Sequence, residues 1–129
     1  MRPTLPPMNI ILHGLEEPLA KQLRDASAQP GTAFYAARST SECLALAEQL
    51  HPDVVFCSSA PGEYRDLLAA LKRRGLQLPV VVVSRLPEIS EWLDALDAGA
   101  MDYCAAPFEH QHIRWMIESA LIGTQRAAA

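Results

Sequence analysis

Pro79-Val80-Val81-Val82-Val83-Ser84 is the stretch on which the fold turns. Four consecutive β-branched residues are stiff at χ1 and fit a helix poorly. A strand apolar on both faces belongs inside a parallel sheet that is covered on both sides. Upstream, Leu67, Leu68 and Leu71 mark a helix that Gly75 is placed to close in the left-handed conformation. Downstream, Pro87 opens a helix with Ile89, Leu93 and Leu96 on one face, Gly99 caps it, and Met101 to Cys104 form a further short strand.

The same alternation continues toward the N-terminus. Val54-Val55-Phe56-Cys57, set between His51-Pro52-Asp53 and the segment Ser58 to Gly62, is a third strand. Ser39-x-x-Glu42 has the spacing of a capping box, and Leu44, Ala47 and Leu50 follow on one helical face. Before it, Ala33 to Ala37, with Phe34 and Tyr35, is a second strand. Asn9 to Leu12 is a short apolar run, too brief for a helix, and is the first strand. Pro18 suits the first turn of a helix, Leu19, Leu23 and Ala26 follow at i, i+4 and i+7, and Pro30-Gly31 ends it. At the far end Pro107 starts a last helix with Ile113, Ile117, Ala120 and Leu121 as its stripe.

Five β–α pairs in strict alternation predict an α/β three-layer sandwich, a parallel sheet with helices on both faces. Right-handed crossovers leave the flavodoxin-like strand order 2-1-3-4-5 as the expected topology. The chain has 129 residues, room for one compact domain. It is expected over residues 9–123, after a loose proline-rich lead-in at 1–8 and before a tail or linker start at 124–129. Ligands and chemistry in such sheets sit at the carboxyl ends of the strands. Here those ends are His13-Gly14, Ser58-Ser59, Ser84-Arg85 and Cys104 to Pro107.

Composition narrows the function further. Half the residues are hydrophobic and a fifth charged, the balance of a globular protein rather than a disordered one. A net charge of -4 disfavours a surface that displaces counterions from nucleic acid. The one basic run, Lys72-Arg73-Arg74, falls at a helix end, where cations complement the helix dipole. Cys43, Cys57 and Cys104 are an odd set without C-x-x-C spacing, as fits a reducing cytoplasm. No apolar run approaches a membrane span and no leader is evident.

The second half of the chain resembles a response-regulator receiver domain of the two-component, CheY-like type. The resemblance rests on Pro79 to Ser84, on the helix ending Ala95-Leu96-Asp97-Ala98-Gly99-Ala100, and on Asp102-Tyr103-Cys104-Ala105-Ala106-Pro107-Phe108. Pro52-Asp53-Val54-Val55-Phe56-Cys57-Ser58 is similar to the segment leading to that family's phosphoryl-accepting site.

The resemblance implies an aspartate nucleophile after the third strand, an acidic pair holding magnesium after the first, and a lysine before the Pro-Phe pair. It also implies a Ser or Thr after the fourth strand that contacts the phosphoryl group. In-line phosphoryl transfer needs an oxygen nucleophile and cations that neutralise the equatorial oxygens. Carried over by position, the acceptor place holds Ser58 and the lysine place holds Ala106. Only Ser84 matches. The acidic pair falls on His13-Gly14 when counted from the first strand, or on Leu15-Glu16 when counted back from Pro18, and neither register supplies two acids. The loop Ser58 to Pro61 is about one residue short of the family pattern. No magnesium site, no other metal and no cofactor is expected, since a hard cation wants several oxygen ligands.

The expectation is a non-phosphorylatable pseudo-receiver, not an enzyme, that signals by protein–protein interaction. Its partner is an output domain of a longer regulator, another protein, or a second copy meeting the face of helix 4, strand 5 and helix 5. Nucleic acid and membrane are not expected partners. On that face Tyr103 matches the family's switch aromatic, with Ser84 as its hydroxyl partner. Trp115 and Ile122 lie opposite the apolar stripe of the last helix, and Trp92 flanks the helix before it. One rival reading is a receiver phosphorylated at an atypical residue, Ser58, Ser59 or Glu63. The other is a flavodoxin-like ligand sensor built around His13, Ser58 and Ser84. His13 with Ser58 as a catalytic pair lacks a third residue. Cys57 and Cys104 are expected to be separated by the fourth strand, and His110 and His112 to diverge on their helix.

Overall fold

The structure, a computed structural model, describes residues 8–128. Ten elements alternate: β1 (Met8–His13), α1 (Glu17–Ser27), β2 (Thr32–Ala37), α2 (Thr40–Leu50), β3 (Val54–Ser58), α3 (Pro61–Arg73), β4 (Val80–Ser84), α4 (Ile89–Asp97), β5 (Asp102–Ala105) and α5 (His110–Ala128). The strands form one parallel sheet in the order β2-β1-β3-β4-β5, as the alternation predicts.

Every residue of β4 is buried, and its pleat sends alternate valines to opposite faces. Val81 and Val83 join Ile10, Leu12, Phe56 and Cys104 under α1 and α5. Val80 and Val82 join Ile11, Val55 and Cys57 under α2 and α3. Local signals explain the connections. Ser39 accepts the Glu42 N–H at 3.1 Å and caps α2. Gly75 at φ +66° lets the Leu76 N–H reach back to the Leu71 carbonyl at 3.0 Å, which closes α3.

Four boundaries differ from expectation. Met8 belongs to β1 and is buried, whereas the lead-in proper, residues 1–7, lies outside the described residues. Pro87 stands two residues before α4, and Pro107, joined to Ala106 by a cis peptide, stands three before α5. Both prolines occupy the approach to a helix rather than its first turn. The backbone of α5 continues to Ala128, past the expected domain end.

The orientation of α4 is a finding of the structure. Ile89, Leu93 and Leu96 share a face as their spacing requires, and that face looks away from the core: Ile89 is 72% exposed and Leu93 58%. Only Ala95 of this helix is fully buried. The inner side is held instead by a polar clamp. The hydroxyl of Tyr64, itself buried, donates to the Asp94 carboxylate, which also receives the Arg65 guanidinium. Tyr64's hydroxyl and, after it, Arg65 hold Asp94 below the usual carboxylate range. A small residue and an anchored carboxylate thus seat α4 and leave its apolar ridge outside. Among the described residues no helix is long and apolar enough to cross a membrane.

Candidate functional site

The carboxyl ends of β1, β3 and β4 surround an open cleft of about 360 Å³, lined chiefly by Gly14, Glu16, Ser58, Ser59, Glu63 and Arg85. Ser58 ends β3, and its hydroxyl accepts the Ala60 N–H at 3.2 Å, tightening the short turn into α3. Glu16, the residue before α1, meets Arg85 at 2.9 Å across the cleft. Both side chains are well exposed, so the pair contributes no more than about 1 kcal/mol. Its consequence is geometric: the cation and the anion at this edge are engaged with each other.

Gly14 decides the shape of the floor. Its φ is +67°, and a Cβ there would lie 2.9 Å from Glu63 Cδ and nearer still to a carboxylate oxygen. A side chain is therefore excluded twice, by backbone conformation and by the glutamate laid over the glycine. Glu63 reaches this place from the first turn of α3, where its charge complements the helix N-terminus. One of its oxygens is buried without a hydrogen-bond partner among the described residues.

His13 does not line the cleft. It follows the pleat of Ile11 and is buried toward α2 and α3, its Nδ1 likewise without a partner among the described residues. Burial depresses the imidazole pKa below its ordinary value, and the nearby carboxylates of Glu63 and Glu42 only partly oppose this. The linkage has a definite sign. Below the imidazole's ordinary value of about 6.5 the unfolded chain binds the proton first, so stability falls with pH until the depressed folded value is passed. Above that range the term vanishes. Urea midpoints measured from pH 7.5 down to 5 should decline for wild type and decline less for His13→Leu. Equal slopes would show that this histidine does not carry the effect.

Ser84 lines not the cleft itself but an adjoining hollow that shares Ser59 and Arg85 with it. Its hydroxyl donates to the Leu86 carbonyl at 2.8 Å. The Tyr103 hydroxyl donates to the same carbonyl at 3.3 Å. The two hydroxyls converge on one backbone oxygen of the β4–α4 loop. Ala106 packs at the margin of the core under α5 and lines a separate groove of about 460 Å³ between α4 and β5, together with Ile89, Trp92, Tyr103, Pro107 and His112.

Of the expected pocket residues, the structure therefore brings together Gly14, Glu16 and Ser58, places Ser84 in the adjoining hollow, and sets His13 and Ala106 apart. Between the two counts for the acidic pair, the cleft takes Gly14, Leu15 and Glu16. Glu63 was legible only as an atypical acceptor, and the Arg85 pairing was not foreseen, because partners 69 residues apart leave no local trace. Among the described residues no three His, Cys, Asp or Glu side chains gather as metal ligands. Cys57 and Cys104 lie on opposite faces of the sheet. His110 contacts the Ala26 carbonyl, whereas His112 stacks on Trp115.

A response-regulator structure from Chloroflexus aurantiacus superposes with a TM-score of 0.78 at 25% identity, over 90% of this chain and 98% of that one. The chain has the receiver-domain fold. NtrX from Brucella abortus contains the same receiver fold, with a TM-score of 0.80 at 22% identity over 94% of this chain but 28% of NtrX. A receiver domain from a Francisella response regulator aligns at 18% identity with a TM-score of 0.73, covering 91% of this chain and 98% of the other. In sequence, the chain is 27% identical over 108 residues to the regulatory protein AtoC of Escherichia coli (strain K12). That match takes 82% of this chain and 23% of AtoC, so the receiver fold here spans under a quarter of that relative. No protein-family profile matches.

Proposed function

We propose that this receiver-type domain signals without being phosphorylated, as an interaction module of a two-component regulator, and that it catalyses no reaction. One observation carries the reading. Where the family places an aspartate and a lysine, this chain places Ser58, whose hydroxyl is engaged with the Ala60 N–H, and Ala106, which lies outside the cleft. A neutral hydroxyl and a methyl group supply neither the anionic nucleophile nor the fixed cation that phosphoryl transfer requires. Glu63 further fills the floor with negative charge, which repels an incoming phosphoryl group.

The partner under this reading is an output domain in a longer cytoplasmic regulator, a separate signalling protein or a second copy. It meets the face of α4, β5 and α5, where Trp92, Tyr103, Trp115 and Ile122 lie. Incubation with acetyl phosphate and magnesium, followed by intact-mass measurement, should leave the mass unchanged. A stoichiometric gain of one phosphoryl group would overturn the reading, and fragment masses locating it on Ser58, Ser59 or Glu63 would establish the rival.

A further inference from the structure

Seven large hydrophobic residues are left exposed among the described residues, and five of them, Leu86, Ile89, Trp92, Leu93 and Leu96, fall within one short stretch. Such crowding separates this surface from the isolated apolar residues that any monomer shows. At about 100° per residue, Trp92, Leu96, Ile89 and Leu93 occupy an arc of about 100° on α4. The buried Ala95 and the clamped Asp94 define the opposite side. The helix is amphipathic, with its apolar stripe turned to solvent. Beside it runs the groove floored by Tyr103 and Pro107, which His112 and its stacked partner Trp115 extend onto α5.

Charge selects the occupant. Residues 88–97 contain four acids, Glu88, Glu91, Asp94 and Asp97, and no base, as much negative charge as the whole chain's net of -4. Arg65 neutralises Asp94, and Glu91 lies on the inner side of the helix with Ala95, which leaves the exposed Glu88 and Asp97, in no ion pair among the described residues, to flank the apolar stripe. A second copy docking α4 on α4 would set these acids against their own kind, and an anionic lipid surface would be repelled. A partner with an apolar stripe flanked by lysine or arginine satisfies both requirements at once.

The geometry points to a cationic amphipathic helix as the occupant of this groove, with apolar anchors at i, i+3, i+4 and i+7 against Ile89, Trp92 and Leu93. This rests on the interaction-module reading and adds the chemistry of the partner. The acidic rim supplies both attraction and selectivity.

The test uses a synthetic helix of about 18 residues with leucines at those spacings and lysines elsewhere, beside the same helix with glutamates in place of lysines. Calorimetric titration should give micromolar binding of the lysine helix and none of the glutamate helix, with affinity falling severalfold as salt rises to about 0.5 M. Leu93→Asp should weaken binding by at least about tenfold. That variant adds charge of the attracting sign, so unchanged or tighter binding would show mere electrostatic adhesion and overturn the proposal. Equal binding of both helices, or of neither, overturns it as well. Sedimentation of the protein alone supplies a further arm: a dimer that Leu93→Asp dissolves would make a second copy the occupant and refute the cationic helix while leaving the interaction-module reading intact. Mass gain from a phosphodonor would do the reverse, removing that reading whatever the titration gives.

Discussion

Phe56→Ala is expected to lower the stability of this domain by about 3–5 kcal/mol, whereas Leu93→Ala should change it by no more than about 0.5 kcal/mol. Both replace a large apolar side chain with a methyl group, and the contrast comes entirely from where the side chain points. Phe56 is fully buried at the centre of β3, packed with Leu12, Val81 and Val83 against α1 and α5. Neighbouring strands cannot collapse into the space it leaves, so the lost transfer energy is joined by the cost of a cavity. For a chain of this length the change corresponds to a melting point lower by roughly 10–20 °C. Leu93 has already left 58% of its surface in water and loses little when shortened. Thermal melts of the two variants beside wild type decide the matter. Similar losses in both would mean that α4 packs its apolar stripe inward after all.

The second large effect belongs to Gly14. Gly14→Ala should destabilise by about 1–2 kcal/mol for the left-handed backbone alone, and by more because the new methyl displaces the Glu63 carboxylate. Glu63→Ala should by contrast be close to neutral, since removing a buried oxygen that lacks a partner among the described residues offsets the loss of a favourable charge at the helix N-terminus. The double variant should therefore lose less than the sum of the singles, with a coupling of about 0.5–3 kcal/mol. Urea unfolding of the four proteins completes the cycle. Strict additivity would show that the glutamate does not rest on the glycine in solution.

The sheet was legible in sequence because its signals are local and redundant. A run such as Val80 to Val83 can be placed in one environment only, and Gly75, Gly99 and Pro30-Gly31 punctuate the chain where helices stop. The starts of α4 and α5 are less legible, because a proline restrains the residue before it as well as its own position and so suits the loop entering a helix about as well as the first turn. The direction of α4's stripe was not legible at all. Periodicity at Ile89, Leu93 and Leu96 establishes that an apolar face exists, but which way it looks depends on Tyr64 and Arg65, which reach Asp94 from α3.

The candidate site divides in the same manner. The substitutions at Ser58 and Ala106 could be read by position, since each stands a fixed distance from a recognisable neighbour. Contacts made through space could not. The Leu86 carbonyl shared by Ser84 and Tyr103 depends on how the β4–α4 loop curls, and Glu63 over Gly14 depends on the angle at which α3 leaves β3.

The three free cysteines are all buried, and burial raises each thiol, Cys43 to about 11 and Cys104 to about 12, with Cys57 higher still. Thiolate is the reactive form, so in neutral buffer an alkylating reagent finds almost nothing to attack while the sheet stays closed. Labelling consequently becomes a clock for transient opening. Cys43 times the departure of α2 and Cys104 that of α5, and the two flanks of the sheet can be timed separately without introducing any probe.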